Sequence, residues 1–240
     1  MAELFVIGTP IGNLSDITFR AVETLKKVDY VAAEDTRRTL QLLNHFEIKK
    51  PLISCRAQNE KIAAEKIVSL LRDGHDVAFA SDAGTPGISD PGAVLVDIVR
   101  KAGFKAVPIP GTSAFATLIS VAGTGGKTLI FEGFLSPKQG KRHTRLKELM
   151  DTGDAIIIYE SPFRITKLLS DIADIEKTRR IVVGRELTKL HEEITSGTAQ
   201  QLFEDYSSRQ SVKGEFAIFI SGVKNAKHSE KSADNFNIEG

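Results

Sequence analysis

The chain has 240 residues, 41% hydrophobic and 26% charged, which suffices for one large α/β domain or two compact ones. A formal net charge of +1 excludes a basic field over the whole molecule, so any nucleic-acid binding would come from a local patch. Cys55 is the only cysteine, which excludes an intramolecular disulfide and a cysteine-based zinc site. No apolar run reaches the roughly 18 residues of a membrane span, and residues 1–8 lead into a strand without a basic leader, so cytoplasmic residence is the default expectation.

Short apolar runs alternate with amphipathic stretches, the pattern of β-α units and mostly parallel sheets. Residues 4–7, 28–33 and 52–54 read as strands. Asn59 is placed to cap a helix whose apolar face carries Ala63, Ile67, Leu70 and Leu71 and which Gly74 ends. Residues 77–80 form a further strand, followed by a Gly/Pro-rich loop over 82–92. Asp90 and Pro91 are expected to open the next helix, as capping residue and first-turn proline, with Gly103 closing it. Residues 107–109 form a strand. The boundary between an N-terminal α/β domain (1–112) and a C-terminal one (113–223) is expected within 112–128. In the second half, 129–131, 155–159, 181–183 and 216–220 read as strands, and Ser161-Pro162 begins a helix with Ile165, Leu168, Leu169 and Ile172 on one face. Residues 224–240 are polar and aperiodic, the composition of a disordered tail.

Several familiar signatures fail on spacing. Gly8 to Gly12 lacks the G-x-G of a dinucleotide fingerprint. Gly125-Gly126-Lys127-Thr128 lacks both the earlier glycine of a phosphate loop, where Val121 stands, and a preceding strand. His191-Glu192-Glu193 has Thr195 where a zinc protease needs histidine, and no metal-ligand spacing appears elsewhere.

Three loops carry more information: Gly8-Thr9-Pro10-Ile11-Gly12-Asn13-Leu14, the run from Ser81 to Gly92, and Pro110-Gly111-Thr112-Ser113-Ala114. Each follows a strand, and in open parallel sheets the carboxyl ends of the strands converge on a ligand crevice. Glycine admits close backbone approach and proline holds a loop's shape in advance; any one of these loops alone reads more readily as a tight turn, but three at one sheet end favour a binding site. After the second strand, Glu34-Asp35-Thr36-Arg37-Arg38 offers carboxylates and guanidinium groups for a hydroxyl or phosphate. Asp35 or Thr36 would serve equally as a plain helix cap. Between Lys138 and Lys147 five basic residues occur without an acid. Cations at a helix start oppose the macrodipole, and an anionic partner such as RNA backbone would compensate.

These segments resemble the tetrapyrrole methylase superfamily, and within it the branch that methylates a cytidine ribose 2′-hydroxyl of small-subunit (16S) ribosomal RNA. The likeness runs from about residue 3 to about residue 222 and rests on the three loops, Glu34-Asp35-Thr36-Arg37, and Phe134-Leu135-Ser136-Pro137-Lys138 with the basic residues after it. Tyr159-Glu160-Ser161-Pro162, Arg185-Glu186-Leu187-Thr188 and Gly214-Glu215 also fit. The resemblance implies two α/β domains with S-adenosylmethionine in the cleft between them, and a homodimer. It implies cofactor contacts at Pro10, Asp82, Gly84, Thr85, Ile88, Ser113, Ala114, Tyr159 and Glu160, and RNA contacts at Lys138, Lys141, Arg142 and Arg145. Porphyrin-modifying members carry Gly-Asp-Pro where this chain has Gly84-Thr85-Pro86, so that acidic contact is either absent or supplied by Asp82.

A ribose hydroxyl is a poor nucleophile near neutral pH and calls for a base or a stabilising cation. Glu34 and Asp35 are candidate bases, Arg37 a candidate stabiliser, and Arg185-Glu186 a second pair, with nothing in the sequence to choose among them. The partner is small-subunit RNA, free or in the assembled 30S subunit. Two other readings are a tetrapyrrole C-methyltransferase on the same fold and a non-enzymatic RNA-binding protein.

Overall fold

The computed structural model describes residues 1–123, 126 and 128–223. The expected tail over 224–240, and residues 125 and 127 of the dismissed phosphate-loop segment, lie outside the described residues. The chain divides into two compact units, 1–117 and 118–240.

The first unit alternates strand and helix: β1 (Glu3–Ile7), α1 (Phe19–Lys27), β2 (Tyr30–Ala33), α2 (Thr36–His45), β3 (Leu52–Ser54), α3 (Glu60–Arg72), β4 (Val77–Ala80), α4 (Ala93–Lys101) and β5 (Lys105–Ile109). The unit boundary falls within α5 (Ala114–Ala122). The sheet order is β3-β2-β4-β1-β5 and every pairing is parallel. Consecutive strand residues face opposite sides of such a sheet, so strands covered on both faces read as continuous apolar runs. Ala32, Val77 and Phe79 pack with Ile67, Leu71, Leu95 and Val99 of α3 and α4. Val31 and Ala78 pack with Ala21, Leu25 and Leu43 of α1 and α2 on the other face. Cys55, just past β3, is fully buried in the α3/α4 layer, and burial pushes its thiol pKa up to about 12, with Glu60 and Glu34 adding to the shift.

Two helix starts differ in mechanism from the sequence expectation. Asn59 does precede α3, but its Oδ1 accepts from the Arg56 amide at 2.7 Å, so it closes the turn before the helix instead of capping it. The helix expected to open at Asp90-Pro91 opens at Ala93 behind Gly92, whose φ of +131° excludes most side chains. The cap comes from another helix: Glu60 Oε1 accepts from the amides of Gly92 (2.9 Å) and Leu95 (3.0 Å). This satisfies orphan donors at the start of α4 with a buried carboxyl oxygen and ties α3 to α4.

The second unit contains β6 (Leu129–Phe134), α6 (Gln139–Asp151), β7 (Ala155–Glu160), α7 (Ile165–Ile175), β8 (Arg180–Arg185), β9 (Glu193–Thr198), α8 (Ala199–Ser208) and β10 (Phe216–Ile220). Its order is β6-β7-β10-β8-β9, and only β6 and β7 run parallel. The expectation of mostly parallel sheets therefore fails here. β10 runs antiparallel between β7 and β8, and β8 turns back into β9, a strand whose polar sequence, Glu-Ile-Thr-Ser-Gly-Thr, hides its pairing. One face is covered by α6, α7 and α8 through Leu146, Leu149, Leu168, Ile172, Leu202 and Tyr206. α7 starts four residues after Ser161, whose carbonyl accepts the amides of Arg164 and Ile165 at 3.1 Å each.

Candidate active site

In the first unit, β1 and β4 are neighbours whose chains leave in opposite directions. β1 leads through α1 to β2 beyond β4, whereas β4 leads through α4 to β5 beyond β1. Helices α1 and α4 cover opposite faces. Such a reversal opens a crevice at the carboxyl ends of the strands, where open α/β sheets bind ligands.

The three Gly/Pro loops meet at that edge. Thr9 and Gly84 exchange backbone hydrogen bonds of 2.9 and 3.1 Å, which joins the β1 loop to the β4 loop. Thr112 Oγ1 donates to the Thr9 carbonyl at 2.7 Å, and Thr85 Oγ1 donates to the Thr112 carbonyl at 3.1 Å, which brings in the β5 loop. Gly8 and Gly111 lie backbone to backbone: a Cβ on Gly111 would sit 2.5 Å from the Gly8 carbonyl oxygen. Pro10, Asp82, Gly84, Thr85 and Ser113 are thus held in, or directly beside, one hydrogen-bonded set, and Ile88 and Ala114 sit on the same loops. Gly84, Gly87 and Ser89 all have positive φ, near +81°, +83° and +62°. The Ser81 hydroxyl is buried at the head of the β4 loop without a hydrogen-bond partner, a cost of about 1–3 kcal/mol unless a ligand or water satisfies it. The sequence reading placed Ser81 in this loop but not among the cofactor contacts, although its place directly after a fully buried strand was an available signal.

Beside these loops stands a carboxylate cluster. The Glu34 amide donates to the Ala80 carbonyl at 3.3 Å, and Glu34 Oε2 accepts from the Asp82 amide at 3.2 Å. Asp82 Oδ1 accepts from the Asp35 amide at 2.8 Å, and Arg38 approaches Asp82 Oδ2 at 3.6 Å. Burial raises the Glu34 pKa, and the Asp82 charge adds to the rise, outweighing the Asp82 amide and Arg38. Asp35 behaves differently. It is the N-cap of α2, and Oδ1 accepts from the Arg37 amide (2.9 Å) and Nε (3.0 Å) while Oδ2 accepts from Arg37 at 2.6 Å. The Arg37 side chain holds the Asp35 pKa well below the usual carboxylate range. Of the two roles the sequence left open for Asp35, the structure shows the helix cap, with Arg37 as its partner.

In the second unit Glu186 also has a structural task. Its Oε1 accepts from Lys189 Nζ and from the Glu215 amide, each at 2.9 Å, and Lys189 binds Glu215 at 2.8 Å. Burial opposes its charge, but Lys189 and the Glu215 amide prevail and the pKa falls. Glu186 is thus held as a paired carboxylate, and Arg185 is engaged by the Lys213 carbonyl (2.7 Å) and Glu193 (3.1 Å). At the end of β7, Glu160 is buried; Oε1 accepts from the Ser161 amide (2.7 Å) and pairs with Arg164 (2.6 Å), while Oε2 has no partner. Tyr159 is half-buried beside it, edge-on to the rings of Phe131 and Phe134.

The basic run starts α6. Lys138 and Lys141 are exposed. Arg145 is exposed but paired with Glu132 (2.8 Å) and Glu148 (3.1 Å). Arg142 is a correction: its side chain is only 3% exposed, with Nε donating to Asp171 at 2.6 Å and Nη1 to the Pro137 carbonyl at 3.4 Å, so it is not a surface cation for phosphates. Among the described residues no cluster of potential metal ligands occurs, and no helix is long and apolar enough to cross a membrane.

An all-parallel sheet with three interlocked Gly/Pro loops at its switch point, joined to a mixed sheet, is the architecture of one class of methylases. The family model described as Tetrapyrrole (Corrin/Porphyrin) Methylases matches residues 3–202, and the chain belongs to that family. Within it, the chain is 46% identical over 219 residues to the Ribosomal RNA small subunit methyltransferase I of Borrelia garinii subsp. bavariensis, covering 91% of this chain and 98% of that protein. It is 43% identical over 222 residues to the protein of the same name from Thermotoga maritima, covering 92% and 99%. Among solved structures, the methyltransferase CobJ shares the fold with a TM-score of 0.70 at 15% identity, covering 92% of this chain and 95% of that one. Cobalt precorrin-4 methyltransferase, CbiF, does so with a TM-score of 0.67 at 18% identity, covering 92% and 94%.

Proposed function

We propose that this protein transfers a methyl group from S-adenosylmethionine to a cytidine ribose 2′-hydroxyl of small-subunit (16S) ribosomal RNA, as a cytoplasmic homodimeric enzyme. The observation that carries the reading is the interlocking of the three loops through Thr9, Gly84, Thr85 and Thr112 at the switch point, in a chain related over nearly its full length to ribosomal RNA methyltransferases. A protein that only binds RNA has no need of such a preformed crevice. The tetrapyrrole C-methyltransferase reading loses support because the solved tetrapyrrole-type neighbours share the fold at only 15–18% identity.

The residues present fit the cofactor. The Ser81 hydroxyl and Glu160 Oε2 are buried polar atoms without partners, able to bond a polar ligand. Gly87 leaves open space where a side chain would stand. Pro10, Asp82, Gly84, Thr85, Ile88, Ser113 and Ala114 would hold the cofactor in the first unit, and Tyr159 and Glu160 in the second. Bound there, S-adenosylmethionine supplies an electrophilic methyl group on a sulfonium. Glu34 is the proton acceptor. With the methyl group supplied by the cofactor, whose carbon–sulfur bond would break to leave a neutral thioether, the proton of the 2′-hydroxyl would pass to the Glu34 carboxylate, whose raised pKa makes it a better acceptor than Asp35 or Glu186. Asp82 positions this group through the Asp35 and Glu34 hydrogen bonds. Lys138 and Lys141 contact RNA phosphates, with Arg145 contributing where Glu132 and Glu148 leave it free to turn.

The test is incubation with methyl-labelled S-adenosylmethionine and small ribosomal subunits from cells lacking the protein, followed by mapping of the label. A labelled cytidine 2′-O-methyl group is expected. Label on a base, or on no RNA, overturns the reading.

A further inference from the structure

The buried Arg142–Asp171 pair does more than staple α6 to α7. It lies in the wall of a cavity of about 360 Å³ whose other lining residues are Pro137, Gln139, Thr166, Lys167, Ser170 and Phe203, from the starts of α6 and α7 and from α8. Both side chains are 3% exposed. Arg142 uses Nε toward Asp171 Oδ2 and Nη1 toward the Pro137 carbonyl, and among the described residues no partner is found for Arg142 Nη2 or Asp171 Oδ1. A guanidinium donor and a carboxylate acceptor therefore remain unused in one wall, beside the hydroxyls of Thr166 and Ser170 and the half-buried ring of Phe203.

The charge arrangement selects the occupant. A phosphate would find the Arg142 charge already balanced at 2.6 Å by Asp171, whose own charge repels an anion. A neutral planar group with adjacent donor and acceptor atoms meets no such penalty and satisfies both unused atoms. Unstacked RNA bases have that character: they are recognised by hydrogen bonds to their edges and by stacking on aromatic rings. The exposed cations Lys167, in the lining, and Lys138 and Lys141, next in sequence to lining residues, suit the phosphates on either side.

We infer that this cavity receives one unstacked nucleobase of the RNA substrate, recognised by Arg142 and Asp171 and stacked against Phe203. The inference rests on the RNA reading above. The lining residues all belong to the second unit.

The experiment measures binding of a single-stranded oligoribonucleotide spanning the methylated cytidine, and of a set in which each nucleotide in turn is abasic. Ser170→Phe fills the cavity without touching the ion pair, and Ser170→Ala leaves it open. Ser170→Phe is expected to weaken RNA binding about tenfold, the scale of one lost base–aromatic stack, with unchanged salt dependence, cofactor affinity and melting temperature. One abasic position is expected to weaken binding to wild-type protein and to Ser170→Ala but not to Ser170→Phe. By contrast, Lys138→Ala with Lys141→Ala is expected to flatten the salt dependence. If Ser170→Phe, folded, binds RNA like wild type, or no abasic position distinguishes the two, the base pocket is wrong and the methyltransfer reading stands. A flattened salt dependence in Ser170→Phe would make the occupant a phosphate and overturn the inference. If the wild-type protein neither binds RNA nor methylates the deficient subunits, both readings fall together.

Discussion

Two corners of the molecule each bring acidic side chains together, and they solve the electrostatic problem in opposite ways. At the carboxyl end of the first sheet, Glu34 and Asp82 face each other across backbone amides, and the cation paired with Asp82, Arg38, stands at 3.6 Å and is 62% exposed. At the other corner, Lys189 bridges Glu186 and Glu215 at 2.9 and 2.8 Å. The first arrangement raises a carboxyl pKa and the second lowers one. Proximity of acids is thus no guide to which can take a proton. Burial sets the rise at Glu34, whereas at Glu186 the bonds from Lys189 and the Glu215 amide overcome it.

The strongest way to break this comparison is Glu34→Gln, which keeps an acceptor for the Asp82 amide and removes the proton acceptor. We expect kcat to fall by about 10²–10⁴-fold with cofactor affinity nearly unchanged, measured by methyl incorporation and calorimetry. A kcat within threefold of wild type would place the base elsewhere. The pH profile sharpens the same point. A raised pKa means that the basic form exists above that pKa and is lost as pH falls through it, so the acid limb of kcat should inflect above the ordinary glutamate value of 4.5 and disappear in Glu34→Gln.

Next in size is Gly111→Ala. Its new Cβ would lie 2.5 Å from a backbone oxygen that cannot swing away, so the loops must part. We expect a loss of about 1–3 kcal/mol in stability by denaturant titration, and at least tenfold weaker cofactor binding. Gly214→Ala places a Cβ equally near Glu186 Cγ, but there a side chain can move, so cofactor affinity should hold. Equal damage to cofactor binding from both would mean that the corners are not functionally separate. The smallest effect belongs to Glu186→Gln. It loses a solvent-screened ion pair, about 1 kcal/mol or less, and should leave kcat within twofold.

The parallel first sheet was legible because continuous apolar runs such as Val77–Ala80 and their Gly/Pro loops report strands buried on both faces. The antiparallel half of the second sheet was not, since β9 carries Glu, Thr, Ser and Gly where an apolar period would be read. The start of α4, expected at Asp90-Pro91, lies behind Gly92, and its cap comes from Glu60, a pairing separated by 32 residues that no local rule can see. The same limit applies to the site. The loops announced themselves by composition, whereas the burial of Arg142 depends on Asp171 from another helix, 29 residues away. Glu34, Asp35 and Glu186 were indistinguishable until their neighbours were in place.

The buried thiol of Cys55 has a practical consequence. With its pKa pushed up to about 12 and no exposure, it presents almost no thiolate to an alkylating reagent while the first unit is closed. Being the sole cysteine, it turns the native sequence into its own opening gauge: the labelling rate reports how often the α3/α4 layer parts from the sheet, without any introduced probe. A ligand held by loops rooted in that sheet should slow the labelling in proportion to its occupancy. One reagent and a mass spectrum would then follow cofactor binding even where no methyl group is transferred.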